Sequence, residues 1–170
     1  TPDGLDVRFA VNTIAPYLLV QRLLGLFEPD GRVVNLSSAA QATVDLEALR
    51  GGAELGEMAA YAQSKLALTM WSRTMAQDLG EKGPLIVAVN PGSLLGSKMV
   101  KEGFGVAGGD LAIGVDILTR AALADEFDGA SGQYFDNDKG RFASPHPDAL
   151  DDAKAQEVVR AIEDVLARLV

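Results

Sequence analysis

Tyr61 and Lys65 stand four positions apart in YAQSKLALTMWSR, a stretch with the pattern of an amphipathic helix. On a helix this spacing is about one turn, a rise of about 6 Å, so both side chains lie on one face. Free tyrosine keeps its proton to about pH 10, which makes it a poor base at neutral pH. A lysine ammonium about 5 Å away favours the phenolate by about 3 kcal/mol at an effective dielectric of about 20. The pair could therefore exchange a proton with an alcohol or carbonyl oxygen.

The pair alone is a weak motif, since three tyrosines in 170 residues give roughly 0.1 such pairs by chance. Other polar residues follow predicted strands: Ser37 and Ser38 after VVNL, and Asn90-Pro91-Gly92-Ser93 after IVAV. Ligands of open α/β sheets bind outside the carboxyl ends of strands, so these groups are candidates for a site. Each also has an ordinary explanation, because serine and Asn-Pro-Gly commonly form turns.

Alternating helices and strands must position these side chains. Hydrophobic periodicity predicts helices over residues 4–27, 57–79, 110–125 and 150–169, and strands over 32–38, 85–93 and 132–137. Residues 39–57 read as a loop with one helical turn near 46–50, and Pro16 should kink or break the first helix. This alternation indicates an α/β fold with a doubly wound parallel sheet of the Rossmann type, with residues 1–170 as a single domain.

Composition narrows the class of protein. The chain is 48% hydrophobic and 23% charged, carries a net charge of −9 and has no cysteine. These values argue against nucleic-acid or anionic-membrane partners and exclude disulfides and thiolate metal sites. The sequence shows no signal peptide and no apolar run approaching about 18 residues, so a cytoplasmic protein without a membrane anchor is expected.

The order Asn12, strand-Ser-Ser, Tyr-x-x-x-Lys and strand-Asn-Pro-Gly resembles the short-chain dehydrogenase/reductase family over nearly the whole chain. The resemblance implies that Tyr61 is the acid/base and that Ser38, rather than Ser37, orients the substrate oxygen. It implies that Lys65 favours the phenolate and bonds the nicotinamide ribose, and that Asn12 holds a water in the proton relay. Tyr61 and Lys65 thus also contact the cofactor.

The segment AVNPGSLLGSKM resembles the family's loop along the nicotinamide. The resemblance implies cofactor contacts from Pro91, Gly92, Ser93, Leu94 and, one position later than the commonest spacing, Ser97. Ser38 and Tyr61 are 23 positions apart, a long interval that resembles the retinol-dehydrogenase-like branch and favours an apolar alcohol or carbonyl substrate.

The family's glycine-rich Thr-Gly-x-x-x-Gly-x-Gly turn and its Asn-Asn-Ala-Gly segment do not occur here. The chain therefore resembles the catalytic portion of the fold without the N-terminal cofactor-binding strands. Because the first residue is Thr1, a longer natural protein with an additional N-terminal segment is expected, and a sheet cut at this point should expose a hydrophobic edge strand. Little activity is expected of the 170 residues alone.

Two features allow more than one interpretation. The glycines around Gly103, Phe104 and Gly105 fit a mobile lid over the substrate or a disordered loop. The long helices 4–27 and 57–79 fit a homodimer or homotetramer interface, as is common in the family, or burial within one chain. His146 reads as a loop residue, and no metal site is expected, since one histidine cannot form a zinc site.

The sequence thus predicts an oxidoreductase that interconverts an alcohol and a carbonyl with NAD or NADP. The alternative is a non-enzymatic cofactor-sensing or scaffold protein on the same fold, since fold does not dictate function. A sensor would have no use for the full proton relay. An epimerase or dehydratase of the family's extended branch usually carries a larger C-terminal domain than the stretch after Gly92 allows.

Overall fold

The computed structural model describes residues 1–28, 30–96, 100–101 and 105–169. The first half of the chain contains α1 (Val7–Phe9), a π-helical turn (Ala10–Ile14), α2 (Ala15–Leu23), a 3-10 turn (Leu24–Leu26), β1 (Arg32–Leu36), α3 (Leu46–Leu49) and α4 (Glu57–Leu79). The second half contains β2 (Leu85–Asn90), α5 (Leu111–Leu123), β3 (Tyr134–Asp136), β4 (Arg141–Phe142) and α6 (Asp152–Leu169). Short 3-10 turns cover Gly80–Lys82, Asp125–Phe127 and Pro147–Leu150.

The sheet has the strand order β1-β2-β3-β4. Strands β1, β2 and β3 are parallel, with Val33 opposite Ile86 and Ala88 opposite Tyr134 in register. The predicted α/β fold with a parallel sheet is therefore confirmed. Strand β4 pairs antiparallel with β3 and was not predicted, because two residues give no periodicity to detect. Among the described strands none pairs with the outer side of β1, so it is an edge strand, as expected.

The sheet separates two hydrophobic layers. On one side α4 packs on β2 and is covered in turn by α6, with Trp71, Leu66 and Ile162 fully buried. On the other side α5 packs on β1 and β2, where Phe127, Phe135 and Phe142 contact one another. Helices therefore cover both faces of the sheet, whereas the edge formed by the carboxyl ends of its strands is open.

Helix α4 begins at Glu57 and ends at Leu79, as the periodicity predicts, and Gly80 stops it with a φ of 55°. Twelve of its side chains are buried, and the helix packs on the sheet, on α6, on the turn Pro147–Leu150 and on the first helical segment, Val7–Leu26. Helix α2 is fixed to α6 by a hydrogen bond of 2.9 Å from the Tyr17 hydroxyl to Glu163. Burial within the chain therefore accounts for the apolar surface of α4.

The predicted break at Pro16 takes the form of a π-helical turn at Ala10–Ile14. Proline has no N–H to bond the carbonyl four residues earlier, and its ring crowds that carbonyl. A wider π turn ahead of the proline relieves this conflict, and such turns are frequent at functional sites. Asn12 lies in the middle of the π turn.

The stretch Val7–Leu26 is, among the described residues, one helical segment that meets the length and composition required to cross a membrane, with a mean hydropathy of 1.3. The expectation that no apolar run approaches this length is therefore wrong. Core helices of soluble proteins and signal sequences meet the same criterion. Phe9, Ile14, Tyr17 and Val20 of this stretch belong to the hydrophobic core.

Candidate active site

The two serines that follow β1 point in different directions. Ser37 is buried and its hydroxyl lies 2.7 Å from that of Thr69 in α4. Ser38 lines an open cleft, and its Oγ accepts a hydrogen bond of 3.1 Å from the Ala40 amide. Both serines line the cleft, but the Ser37 hydroxyl is turned towards Thr69, because successive side chains of extended backbone alternate in direction. The hydroxyl proton of Ser38 remains available for a ligand oxygen.

The backbone carbonyl of Ser38 is held by two hydrogen bonds, one of them from β3. The Tyr134 hydroxyl of β3 donates to the Ser38 carbonyl over 3.1 Å, and Gln41 Nε2 donates to the same oxygen over 2.9 Å. Burial raises the pKa of the Tyr134 phenol well above its ordinary range, so it stays a donor. The contact fixes the strand end that presents Ser38, and the sequence offered no signal for it.

Tyr61 lies in the second turn of α4 and Lys65 in the third, and both line the cleft. The Lys65 ammonium is 5.7 Å from the centroid of the Tyr61 ring and donates to the Leu36 carbonyl at the end of β1 over 2.7 Å. Burial lowers the pKa of Lys65 to about 8. Among the described residues, none forms a hydrogen bond with the Tyr61 hydroxyl. That hydroxyl can therefore bond a ligand.

Asn12 is tied to α4 by a short chain of hydrogen bonds. The Ser64 hydroxyl donates to the Tyr61 carbonyl over 2.7 Å, and Asn12 Nδ2 donates to Ser64 Oγ over 3.1 Å. Because the Ser64 proton is committed to a carbonyl, its oxygen acts as an acceptor, and the amide nitrogen of Asn12 must face it. The Asn12 oxygen is left to accept from another donor. The sequence pattern gave Ser64 no role, although it directly precedes Lys65.

The loop 90–95 begins at the last residue of β2 and forms the next part of the cleft wall. Gly92 has a φ of 132° and Leu94 a φ of 51°, both in the region that side chains rarely adopt. The turn after β3 grips this loop through Asp136 and Asp138, which accept hydrogen bonds from Asn90 Nδ2 over 2.9 and 2.8 Å. No local sequence pattern indicates this contact, because the partners lie 46 and 48 positions apart.

The cleft has a volume of about 960 Å³, within the range of small-molecule sites. Its remaining wall is largely apolar and combines side chains of the first helix, α4, the 90–95 loop and α5: Val11, Met58, Leu94, Leu111, Val115 and Leu118. Gly114 in α5 brings that helix close, because a Cβ there would lie 2.7 Å from Leu95 Cδ1. The site is thus a polar strip at the sheet edge within an apolar groove.

The structure brings Asn12, Ser38, Tyr61 and Lys65 together on this cleft, joined by the four loop residues of the sequence prediction, Pro91, Gly92, Ser93 and Leu94. Ser97, Gly103 and Phe104 lie outside the described residues. His146 caps the turn Pro147–Leu150, where its Nδ1 accepts from the Asp148 amide. In the part of the chain that the structure describes, no cluster of three His, Cys, Asp or Glu could hold a metal ion.

The residues present fit the nicotinamide half of a dinucleotide. A cation, Lys65, and the backbone of the 90–95 loop lie on the same cleft, at the carboxyl edge of a parallel sheet. Gly114 allows α5 to pack closely against the loop at Leu95. The chain has no glycine-rich turn of the kind that cradles a pyrophosphate.

Comparison with known proteins gives consistent matches. Residues 2–104 match the family model described as short chain dehydrogenase. The chain is 29% identical over 189 residues to retinol dehydrogenase 13 of Mus musculus, covering 100% of this chain and 55% of that protein. It is 32% identical over 163 residues to retinol dehydrogenase 12 of Bos taurus, covering 85% and 50%. The chain thus spans about half the length of the curated relatives it matches.

A solved structure of an uncharacterised protein from Mycobacterium Paratuberculosis superposes with a TM-score of 0.68 at 20% identity. The match covers 97% of this chain and 60% of that one, and it concerns the fold.

Proposed function

The chain belongs to the short-chain dehydrogenase/reductase family, in its retinol-dehydrogenase-like branch, and from this premise we propose that it carries the catalytic half of an oxidoreductase. The reaction interconverts an alcohol and a ketone or aldehyde with NAD or NADP. The observation that supports it is the convergence of Asn12, Ser38, Tyr61 and Lys65 on one apolar cleft.

Proton transfer at the substrate oxygen is the task of Tyr61. Its hydroxyl lies in the cleft without a partner among the described residues, so it can bond the substrate oxygen directly. As an alcohol is oxidised, its O–H proton passes to the Tyr61 phenolate; in reduction the proton returns to the nascent alkoxide. Ser38 donates a hydrogen bond to the same oxygen and fixes its position.

Lys65 supplies the positive charge that favours the phenolate, since its ammonium lies 5.7 Å from the Tyr61 ring centroid. With a pKa of about 8 it is mainly protonated at neutral pH. The Asn12 oxygen, set by Ser64, provides an acceptor for a water that links the ammonium to solvent. Ser64 thereby orders the far end of the relay.

A nicotinamide group, when bound, supplies the acceptor or donor of hydride at the substrate carbon. Tyr61, Lys65 and the loop residues Pro91, Gly92, Ser93 and Leu94 are the residues that would hold it. Ser97 remains a further candidate.

The substrate is a predominantly apolar alcohol or carbonyl compound. The groove beside the polar strip is lined by Val11, Met58, Leu111 and Val115, which offer dispersion contacts and no additional hydrogen bonds from their side chains. The relatives named retinol dehydrogenases are consistent with such a ligand. A second copy of the chain is proposed as a partner, as a homodimer or homotetramer.

The test is the absorbance of reduced nicotinamide in the intact protein with a panel of apolar alcohols and ketones. Tyr61→Phe should lower kcat by at least about a hundredfold, because it removes the exchangeable proton, while cofactor still binds. Tyr17→Phe is the matched control: it removes a hydroxyl that is bonded to Glu163 outside the cleft, and it should retain turnover. An unchanged rate in Tyr61→Phe would refute the mechanism, and cofactor binding without turnover on any substrate would favour the sensor.

A further inference from the structure

We propose that Asp138 is a positioning residue that holds the loop 90–95 in the conformation facing the cleft. The inference rests on the proposed function, because it concerns the wall against which the nicotinamide would lie. Asp138 itself does not line the cleft and acts through the loop.

The carboxylate of Asp138 collects three donors from the loop. The Ser93 amide donates to Oδ1 over 2.8 Å, while the Ser93 hydroxyl and Asn90 Nδ2 both donate to Oδ2. Hydrogen bonds to an ionised acceptor are about twice as strong as neutral ones. One side chain therefore ties down both ends of the segment from Asn90 to Ser93.

The two residues before Asp138, Asp136 and Asn137, also form hydrogen bonds with the loop. Asn90 is 2% exposed, and its amide nitrogen donates to Asp136 as well as to Asp138, while its Oδ1 accepts from the Gly92 amide over 3.3 Å. Asn137 Nδ2 donates to the Pro91 carbonyl over 2.9 Å. Asn90, Pro91 and Ser93 are therefore bonded directly to this turn, and Gly92 is bonded to it through Asn90.

The loop needs such support because its backbone is strained. Leu94 adopts a φ of 51°, the one left-handed non-glycine residue in the described part of the chain, and Gly92 adopts a φ of 132°. Conformations of this kind persist only where the surroundings over-determine them, and they cluster at functional sites. The turn after β3 fixes Ser93 on one side of Leu94, and the Gly109 amide donates to the Leu94 carbonyl over 2.7 Å on the other.

The charges of the turn suit this role at neutral pH. Burial opposes ionisation of Asp138, but hydrogen bonds from Ser93 and Asn90 hold the pKa of its carboxyl below the ordinary value. The Lys139 ammonium lies 2.7 Å from Asp136 and balances the second carboxylate. Both aspartates therefore remain acceptors across the physiological range.

The first arm of the test measures amide hydrogen exchange without cofactor or substrate. In Asp138→Ala the Ser93 amide should exchange about tenfold faster or more, because its acceptor is lost. Asp138→Asn keeps one acceptor oxygen and should restore part of the protection. Asp125→Ala, which removes an exposed carboxylate outside the cleft, is the matched control and should change nothing at Ser93.

The second arm separates positioning from general stability by comparing two probes on the intact protein. NADH carries the nicotinamide and ADP-ribose does not. Asp138→Ala should weaken NADH binding about tenfold and leave ADP-ribose binding within about twofold. A variant that is merely less stable would weaken both probes equally. If Asp138→Ala does not fold, Asp138→Asn carries both measurements with smaller expected changes.

Unchanged exchange at Ser93, or equal loss of both probes, overturns the proposal. If the unmodified protein binds neither probe, the proposed function fails by itself. The exchange measurement then still decides whether Asp138 holds the loop.

Discussion

Lys65 is the residue whose environment has the clearest energetic consequence. Its ammonium is partly withdrawn from water beside the cleft and has the Leu36 carbonyl as its hydrogen-bond partner. A neutral dipole compensates only part of the lost hydration, so burial lowers the pKa of Lys65 to about 8. The cation that we propose to favour the Tyr61 phenolate is therefore held by the fold at a cost in free energy.

This cost predicts a dependence of stability on pH. The pKa of Lys65 is lower in the folded than in the unfolded chain, so the unfolded state binds more protons between about pH 8 and 10.5. The free energy of unfolding should rise across that interval, by at most about 3 kcal/mol. Urea unfolding at several pH values measures it. Lys65→Met should remove the rise, whereas Lys82→Met, at an exposed lysine, should keep it.

A fall of stability over the same interval would contradict the assignment, as would a rise that persists in Lys65→Met. Tyr17 and Tyr134 act in the opposite direction only above about pH 10, because burial raises the pKa of each phenol above its ordinary value. Urea unfolding is therefore compared mainly between about pH 8 and 10, where these tyrosines do not contribute.

Sequence reasoning reached the residues with a short motif and missed those defined by long-range contact. Tyr61 and Lys65 are recognisable because a helix fixes their relation within four positions. Asp138 contacts Ser93 and Asn90, 45 and 48 positions away, and Tyr134 contacts Ser38, 96 positions away. No local sequence pattern predicts contacts over such separations. Ser64 offered one signal, a polar residue at a helix position that turns inward.

At the scale of elements, the docking of β1 on α4 sets the distance between Ser38 and Tyr61. The Thr69 hydroxyl donates to the Lys65 carbonyl over 2.9 Å, so it accepts from Ser37, whose hydroxyl lies 2.7 Å away. Both side chains are buried. This pair joins the end of the strand to the helix one turn beyond Lys65.

We expect Thr69→Val to lower the free energy of unfolding by about 1–3 kcal/mol, because it leaves the buried Ser37 hydroxyl without an acceptor. Ser37→Ala should cost less, since Thr69 keeps its bond to Lys65. The double variant should recover part of the loss, giving a coupling of about 1 kcal/mol in a double-mutant cycle. Additive effects in chemical denaturation would show that the two hydroxyls are not linked.

Helix and strand bounds followed from periodicity where the pattern was long, and α4 is the clearest case. The π turn at Ala10–Ile14 was not predicted, because proline indicates a break but not how the backbone resolves it. Strand β4 exists through its pairing with β3 and through Phe142, which packs against Phe127 and Phe135. Tertiary contact, rather than local preference, creates such an element.

At the scale of the whole molecule, the distribution of apolar surface decides which face can meet a second copy. Helix α4 is enclosed by the sheet and α6 and has little surface to offer. The first helical segment is different, since Leu19, Leu23 and Leu26 are 58%, 37% and 78% exposed. Large exposed apolar residues in one row are typical of an interaction surface. The sequence identified both helices as candidates, and only the packing separates them.

The outer face of the first helical segment is therefore where we place the proposed contact between two copies. Leu19→Arg should shift the protein to a monomer in analytical ultracentrifugation, because a buried guanidinium without a partner opposes association. Leu123→Arg, at a residue of α5 that is 76% exposed, is the matched control and should leave the assembly intact. Far-ultraviolet circular dichroism of both variants verifies that the fold is retained. A monomer already in the unmodified protein, or an assembly unaffected by Leu19→Arg, would show that these side chains do not form the interface between copies.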